Sequence, residues 1–200
     1  MIQADRVLGV ILAAGKASRF GSPKPLAILD GQSLLARAIA TLQDTLHRQP
    51  LVVLGHEWQR VAADLSDKSY FVLNEAYADG MASSIAAAAR AASGRADALL
   101  VTLCDQPLIS SEHLNAMLQA HSGAADDIVA TGYGDAIGPP VLFGRASFAK
   151  LQALDGENGA KSVLQDPGFS LQVIHNAAAA VDIDTQADLS ALQETAASRQ

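Results

Sequence analysis

The sequence predicts an α/β fold, an open and mostly parallel central sheet with helices on both faces. Three observations lead there. Short apolar runs at 7–12, 51–54 and 98–103 show no polar alternation, as strands buried on both faces do. Between them lie segments whose apolar residues recur with helical spacing. Across 200 residues, half of them apolar and 4% aromatic, no linker, repeat or low-complexity tract intervenes, so 1–200 reads as a single domain.

Each element follows in order. The strand at 7–12 ends in Ala13-Ala14-Gly15, and a polar, glycine-bearing stretch leads on to Pro25. From Ser33, a plausible N-cap, to His47, one helical face carries Leu34, Leu35, Ala38, Ile39, Leu42 and Leu46. A strand at 51–54, a helix at 57–65 with Trp58 as a packing residue, a strand at 70–73 and an alanine-rich helix at 81–92 come next. After the strand at 98–103, Ser110 or Ser111 caps a helix to about 121 that turns Leu114, Met117 and Leu118 inward. Strands near 128–130 and 141–143 follow, the second after a turn at Gly138-Pro139-Pro140. Helices at 147–154 and 159–164, a strand at 171–174 and a terminal helix from about 185 complete the chain, with 197–200 frayed.

Lysine and arginine number 14 against 21 acidic residues, a net charge of −7, which excludes a broad basic surface for a nucleic-acid polymer. Any anionic ligand must be gripped by a few placed cations or by backbone N–H groups. The lone Cys104 excludes an internal disulfide and a thiolate zinc cluster, and it reads as a buried structural thiol in a reducing, cytoplasmic protein. The apolar stretch at 7–14 is too short to span a bilayer, and Asp5 and Gly9 spoil a signal peptide, so no membrane partner is expected. His47, His56, His113, His121 and His175 lack metal-ligand spacing and read as surface or helix-end residues.

Ligands of open parallel sheets bind beyond the carboxyl ends of the strands, which places the chemistry just after Leu12, Leu73 and Leu103. Small residues at 13–15 let backbone N–H groups approach a phosphate, and Arg19 and Lys24 add two cations five residues apart. The loop is neither a Walker P-loop nor a G-x-G-x-x-G dinucleotide turn, and on composition alone it reads equally as a tight turn with two solvated cations. Asp105, directly after a buried strand, suits Mg²⁺ as a hard oxygen ligand or caps the turn before Pro107. Asp182 and Asp184, just before a helix, suit a metal or helix capping equally.

In chain order, Leu12-Ala13-Ala14-Gly15-x-x-Ser18-Arg19-Phe20-Gly21-x-x-Lys24-Pro25-Leu26 resembles the signature of nucleotidyltransferases with a three-layer, Rossmann-like (GT-A-like) fold. Within these, the chain is most similar to the MobA-like group and its molybdenum cofactor cytidylyltransferases of the MocA type. Further matches are Asn74 with Gly80-Met81-x-Ser83-Ser84-Ile85, Asp105-Gln106-Pro107, Gly138-x-Pro140-Val141-Leu142-Phe143, Leu154-x-Gly156-x-x-Gly159-Ala160 and Asp182-x-Asp184-Thr185-x-x-Asp188-Leu189. The likeness spans about 7–192.

The resemblance implies a nucleotide triphosphate on the Leu12, Ala13, Ala14 and Gly15 backbone, Arg19 and Lys24, with Asn74, Gly80 and Ser84 near base and ribose. It implies Mg²⁺ on Asp105 with Asp182 or Asp184, and catalytic roles for Arg19, Lys24 and Asp105. An acceptor, molybdopterin carrying molybdenum, would lie against Gly138, Pro140, Gly156, Gly159 and Lys161. Its terminal phosphate would attack the nucleotide's α-phosphorus, and the product would serve a xanthine oxidase class apoenzyme. Relatives that use GTP carry glycine where Ala14 stands, which implies CTP. Two departures concern the acceptor side: the family has aspartate at Glu157 and arginine at Lys161, and lysine cannot make a bidentate fork. The alternatives are GTP with the same acceptor, another small phosphorylated acceptor, or a non-catalytic nucleotide- and cofactor-binding partner that delivers cofactor to a molybdoenzyme.

Overall fold

The structure, a computed structural model, describes residues 1–17, 19–65, 70–156 and 159–197. Strand β1 (Val7–Ala13) leads through a loop into a short hairpin of β2 (Ile28–Leu29) and β3 (Gln32–Ser33), then α1 (Leu34–Leu46) and β4 (Leu51–Leu54). Next come α2 (Trp58–Asp64), β5 (Tyr70–Leu73), α3 (Met81–Ala92), β6 (Ala98–Leu103) and α4 (Ser111–Ala120). The chain continues through β7 (Asp127–Tyr133), β8 (Ala136–Gly144), α5 (Phe148–Gln152), α6 (Lys161–Leu164), β9 (Ser170–His175) and α7 (Gln186–Ala197). Seven strands form one sheet in the order β5-β4-β1-β6-β8-β7-β9. β8 alone runs antiparallel to its neighbours, β6 and β7; the remaining pairs are parallel.

Every residue of β1 is buried, because both faces of the sheet are covered. On one face Val10, Leu99 and Phe143 pack with Ile85, Ala88 and Ala89 of α3 and Leu151 of α5. On the other, Ile11, Leu100 and Leu142 pack with Leu35 and Leu42 of α1 and Leu114 and Met117 of α4. Each of the valine, leucine, isoleucine, phenylalanine and methionine side chains contributes about 1.5–3 kcal/mol through burial. A methyl at Gly9 would stand 2.8 Å from a Leu46 methyl and 3.2 Å from one of Leu42, so the glycine in this apolar run lets α1 approach the central strand. Small residues also bring α3 close, with Ala82 and Ala86 to Ala89 all buried. No helix among the described residues is long and apolar enough to cross a membrane.

The three-layer α/β architecture expected from the sequence is the one observed, and α3 and β6 occupy the residues read for them. Ser33 Oγ accepts from Ala36 N at 3.1 Å, and Ser110, not Ser111, caps α4 by accepting from His113 N. The hairpin of β2 and β3 lies in a stretch to which no element was assigned; Asp30 and Gly31, at φ 50° and 80°, make its turn. Three expectations need correction. Gly138-Pro139-Pro140 is not a turn before a strand but part of β8. There the register jumps from Val141 opposite Ala130 to Gly138 opposite Thr131, which bulges out two residues that have no N–H to pair. The helix expected at 147–154 is only Phe148–Gln152, behind a short 3₁₀ turn, and that at 159–164 is Lys161–Leu164. Finally, His113 and His121 lie on or at the end of α4 but are buried, not at the surface. Of the expected fraying at 197–200, residues 198–200 lie outside the described set.

The buried histidines are neutral side chains built into the packing. Thr131 Oγ1 donates to Pro140 O at 2.8 Å, so it accepts from His113 Nε2 at 2.8 Å, and burial lowers the His113 pKa. His121 Nδ1 accepts from Gly123 N at 3.0 Å, and burial outweighs the nearby Asp127 in lowering its pKa. Asp127 is itself 1% exposed. Burial disfavours its charge, but Ser122 N at 2.6 Å and the Gln172 amide donate to the carboxylate and hold its pKa below the usual range. A depressed native pKa stabilises the fold above about pH 4, and that stabilisation is lost as pH falls through the native value. Asp127→Ala is therefore expected to cost about 2–3 kcal/mol in urea unfolding at pH 7 and to flatten the stability–pH curve below pH 4. An unchanged acid limb would show that Asp127 does not set it.

Candidate active site

A cavity of about 360 Å³ opens at the carboxyl ends of β1 and β6. Of the expected nucleotide residues, Leu12, Ala13, Ala14, Gly15, Arg19, Lys24 and Ser84 line it, together with Asp105 and Asp184. Ser18 lies outside the described residues. A methyl at Gly15 would meet no heavy atom within 4 Å, so packing does not require the glycine; its bareness leaves room for a ligand beside the backbone. Gly55, which the sequence reading passed over, differs. A methyl there would stand 2.7 Å from Ala14 O and 2.6 Å from Tyr77 Cβ, so only glycine lets the end of β4 brace the loop. His56 N completes the brace by donating to Ala14 O at 3.1 Å. The signal available in sequence was a glycine directly after a buried strand. Gly15→Ala should melt within about 2 °C of the parent and raise the nucleotide Kd about tenfold, near 1.4 kcal/mol. Calorimetric titration with nucleotide checks this; unchanged affinity would remove the backbone of Gly15 from the site.

Lys24 lies at the centre of this site. Its Nζ donates to Asp105 Oδ2 at 2.7 Å and to Asp184 Oδ1 at 2.8 Å, joining residues 160 positions apart. Partial burial disfavours the ammonium, but the two carboxylates outweigh it and raise the Lys24 pKa. Asp105 does not serve as a turn cap: its Oδ2 accepts from Lys24, while its backbone carbonyl accepts from Ile183 N at 2.9 Å. Ile183, fully buried against Phe20, Leu29, Leu34 and Leu189, anchors the segment that carries Asp184. Capping of α7 falls to Thr185 and Asp188, in a reciprocal box. Asp188 N donates to Thr185 Oγ1 at 3.2 Å, and Asp188 Oδ2 accepts from Thr185 N at 2.7 Å and Asp184 N at 3.0 Å. The Asp184 carboxylate is thereby left for Lys24.

Asp182 does not join this pair at the cavity. Burial and the charge of Asp105 raise its pKa, opposed by a hydrogen bond from Gln106. Among the described residues no three carboxylate, imidazole or thiol groups stand together as a metal cluster. Of the two late carboxylates expected as partner to Asp105, Asp184 is the one that shares its cavity, on the other side of Lys24. Two carboxylates facing a cavity suit a divalent cation whose remaining ligands are phosphate oxygens and water. Cys104 is buried as expected, and burial pushes its thiol pKa up, so it supplies no nucleophile.

Asn74 and Gly80 stand behind the cavity and do not line it. The Asn74 amide is spent internally, with Nδ2 donating to Ser83 Oγ at 2.8 Å and Ser84 Oγ at 3.0 Å and Oδ1 accepting from Ala76 N at 3.1 Å. Gly80, at φ 105°, makes the turn into α3. Both therefore shape the start of α3, and only Ser84 of that group faces the site.

A second cavity, of about 720 Å³, receives Gly138, Gly159 and Lys161 from the expected acceptor residues. Its remaining lining is chiefly apolar, including Val101, Val141, Phe143 and Leu171. Pro140 and Gly156 do not line it; Pro140 is held by Thr131, and its place is taken by Pro139. Glu157 lies outside the described residues. Among the described residues, Met81, the first residue of α3, lines both cavities and so marks their junction.

The model of the MobA-like NTP transferase domain matches residues 9–175. The purine catabolism protein PucB of Bacillus subtilis is 26% identical over 173 residues, covering 82% of this chain and 83% of that protein. The bifunctional protein GlmU of Streptococcus equi subsp. zooepidemicus is 34% identical over 114 residues, 56% of this chain but only 25% of GlmU. Among solved structures, the Mycobacterium sp. strain JC1 homologue of Mycobacterium tuberculosis Rv0371c superposes with a TM-score of 0.84 at 27% identity, covering 100% of both chains. The matched region runs from within β1 to the end of β9 and takes in the loop after β1, Lys24, Asp105 and the second cavity, so this chain is a nucleotidyltransferase of the MobA-like NTP transferase family.

Proposed function

We propose that the protein transfers CMP from CTP to the terminal phosphate of a molybdopterin-type acceptor, releasing pyrophosphate and giving the cytosine dinucleotide form of the cofactor. The observation that carries this reading is a cationic, carboxylate-flanked cavity that shares Met81 as a wall with a larger, chiefly apolar one. In such a displacement the oxygen of the acceptor phosphate bonds to the α-phosphorus as the bond to the bridging oxygen of pyrophosphate breaks. This needs alignment and charge neutralisation more than covalent catalysis. The backbone at Ala14 and Gly15 would cradle the triphosphate, and Arg19 and Lys24 would offset the charge that grows on the leaving pyrophosphate. Mg²⁺ held by Asp105 and Asp184 would supply further charge neutralisation on the phosphate oxygens.

The chiefly apolar lining of the second cavity offers a surface for the flat face of a fused heterocycle, and Asp135, Gln165 and Lys161 on the same wall offer partners for its polar edge. Lys161 would meet the acceptor phosphate as a point charge. The preference for CTP rests on the resemblance at Ala14. A cofactor bound for a purine-oxidising molybdoenzyme of the xanthine oxidase class agrees with the name of PucB, and a transient contact with such an apoenzyme, within the cytoplasm, belongs to the same reading.

Pyrophosphate release measured with CTP, GTP, ATP and UTP, with and without molybdenum cofactor and Mg²⁺, tests the proposal. Turnover with CTP only when cofactor is added is the expected result. Preference for GTP would make the protein a guanylyltransferase, turnover with a sugar phosphate would overturn the acceptor, and nucleotide binding without turnover would favour a delivery role.

A further inference from the structure

Gln106 sits between the two acidic segments and is 5% exposed. Its Nε2 donates to Ala179 O at 2.9 Å, in the turn just before Val181 to Asp184, and its side chain also hydrogen-bonds Asp182. One residue earlier, Asp105 O accepts from Ile183 N at 2.9 Å. These ties stitch the loop after β6 to a strand of backbone more than 70 positions away, and the two carboxylates that flank Lys24 sit on the two sides of the seam. The other end of the amide is equally specific. Gln106 Oε1 is buried with no hydrogen-bond partner in the protein, and so is Arg37 Nε of α1. Both residues line the same small cavity, about 20 Å³, walled by Leu34, Leu42, Cys104 and Pro107. That is room for one water, and a buried acceptor and a buried donor both need a partner.

The geometry points to Gln106 as a positioning residue that sets the spacing of Asp105 and Asp184, its free carbonyl held through one buried water to Arg37 of α1. It touches neither nucleotide nor cation. Water would donate to Oε1 and accept from Nε–H, so the Gln106 carbonyl and the Arg37 Nε–H are both satisfied. Side chains that orient a metal ligand affect metal affinity by about 10–100-fold. The inference rests on the proposed cation site, and it can fail separately.

The test is Mn²⁺ binding, followed by electron paramagnetic resonance with nucleotide present, in the wild-type protein and in Gln106→Met, which keeps the volume and removes the amide. The expected result is about tenfold weaker Mn²⁺ binding, with a lowered melting temperature from the Ala179 carbonyl left unpaired and the metal-free nucleotide affinity unchanged. Equal Mn²⁺ affinity in a folded Gln106→Met overturns the positioning role. Should that variant not fold, Gln106→Asn takes its place, because it keeps a polar amide but is one methylene too short for Ala179 O; the same loss supports the proposal and no loss overturns it. A wild-type protein that binds no Mn²⁺ would overturn the cation site itself. A crystal structure with no water density between Gln106 Oε1 and Arg37 Nε would overturn the water bridge.

Discussion

Asp105→Ala is expected to lower Mg²⁺-dependent turnover about 10³-fold while the protein remains folded. The two halves of this expectation have separate structural grounds. The carboxylate is on the cavity wall, and Lys24 is the partner it holds there. Its backbone carbonyl, which the substitution keeps, is what binds Ile183 N and seats the 181–184 segment. The loop therefore stays in place, and Lys24 keeps Asp184 as a partner. Pyrophosphate release across a Mg²⁺ series, with melting followed by circular dichroism, separates the two. A rate near that of the wild type would sink the metal assignment, and a collapsed melt would show that the carboxylate is structural.

What could be read from sequence depended on whether the decisive contact was local. α3 and β6 carry their own signals, an alanine-rich helical run and an unbroken apolar run, and both lie where they were read. The reversal of β8 was hidden because Val141-Leu142-Phe143 is equally apolar in either direction, and direction is decided by pairing with β6. The β2–β3 hairpin was missed because two-residue strands show no period, although Asp30-Gly31 was a turn signal in plain view. In the site, cations and carboxylates were found by type, but their pairing across 160 residues was not. Thr185-x-x-Asp188 was a legible capping spacing, and it separates Asp184 from a capping role. Asn74 misled because a polar residue at a strand's carboxyl end can turn inward as readily as toward a ligand, and here Ser83 and Ser84 were waiting one turn into α3.

Lys24→Met should produce an enzyme that has lost about 10²–10³ in kcat/KM and whose melting temperature in the absence of nucleotide, unlike that of the wild type, depends on Mg²⁺. In the structure, Asp105 and Asp184 are each within 2.8 Å of one nitrogen, and neither carboxylate has to meet the other unscreened. Removing the ammonium leaves two like charges at a shared position, which repel each other and strain the seam between the two segments. A divalent cation relieves both effects. Melting temperature measured against Mg²⁺ without nucleotide should therefore climb in Lys24→Met and stay nearly flat in the wild type, where the lysine already fills the role. If the two curves are parallel, Lys24 is not holding the cation's place. If they diverge, the phosphate-binding role read from the sequence and the carboxylate-bridging role seen in the structure belong to one residue in two states. A lysine on a flexible four-carbon stem can release its carboxylates to an arriving cation and turn its charge to the triphosphate that comes with it.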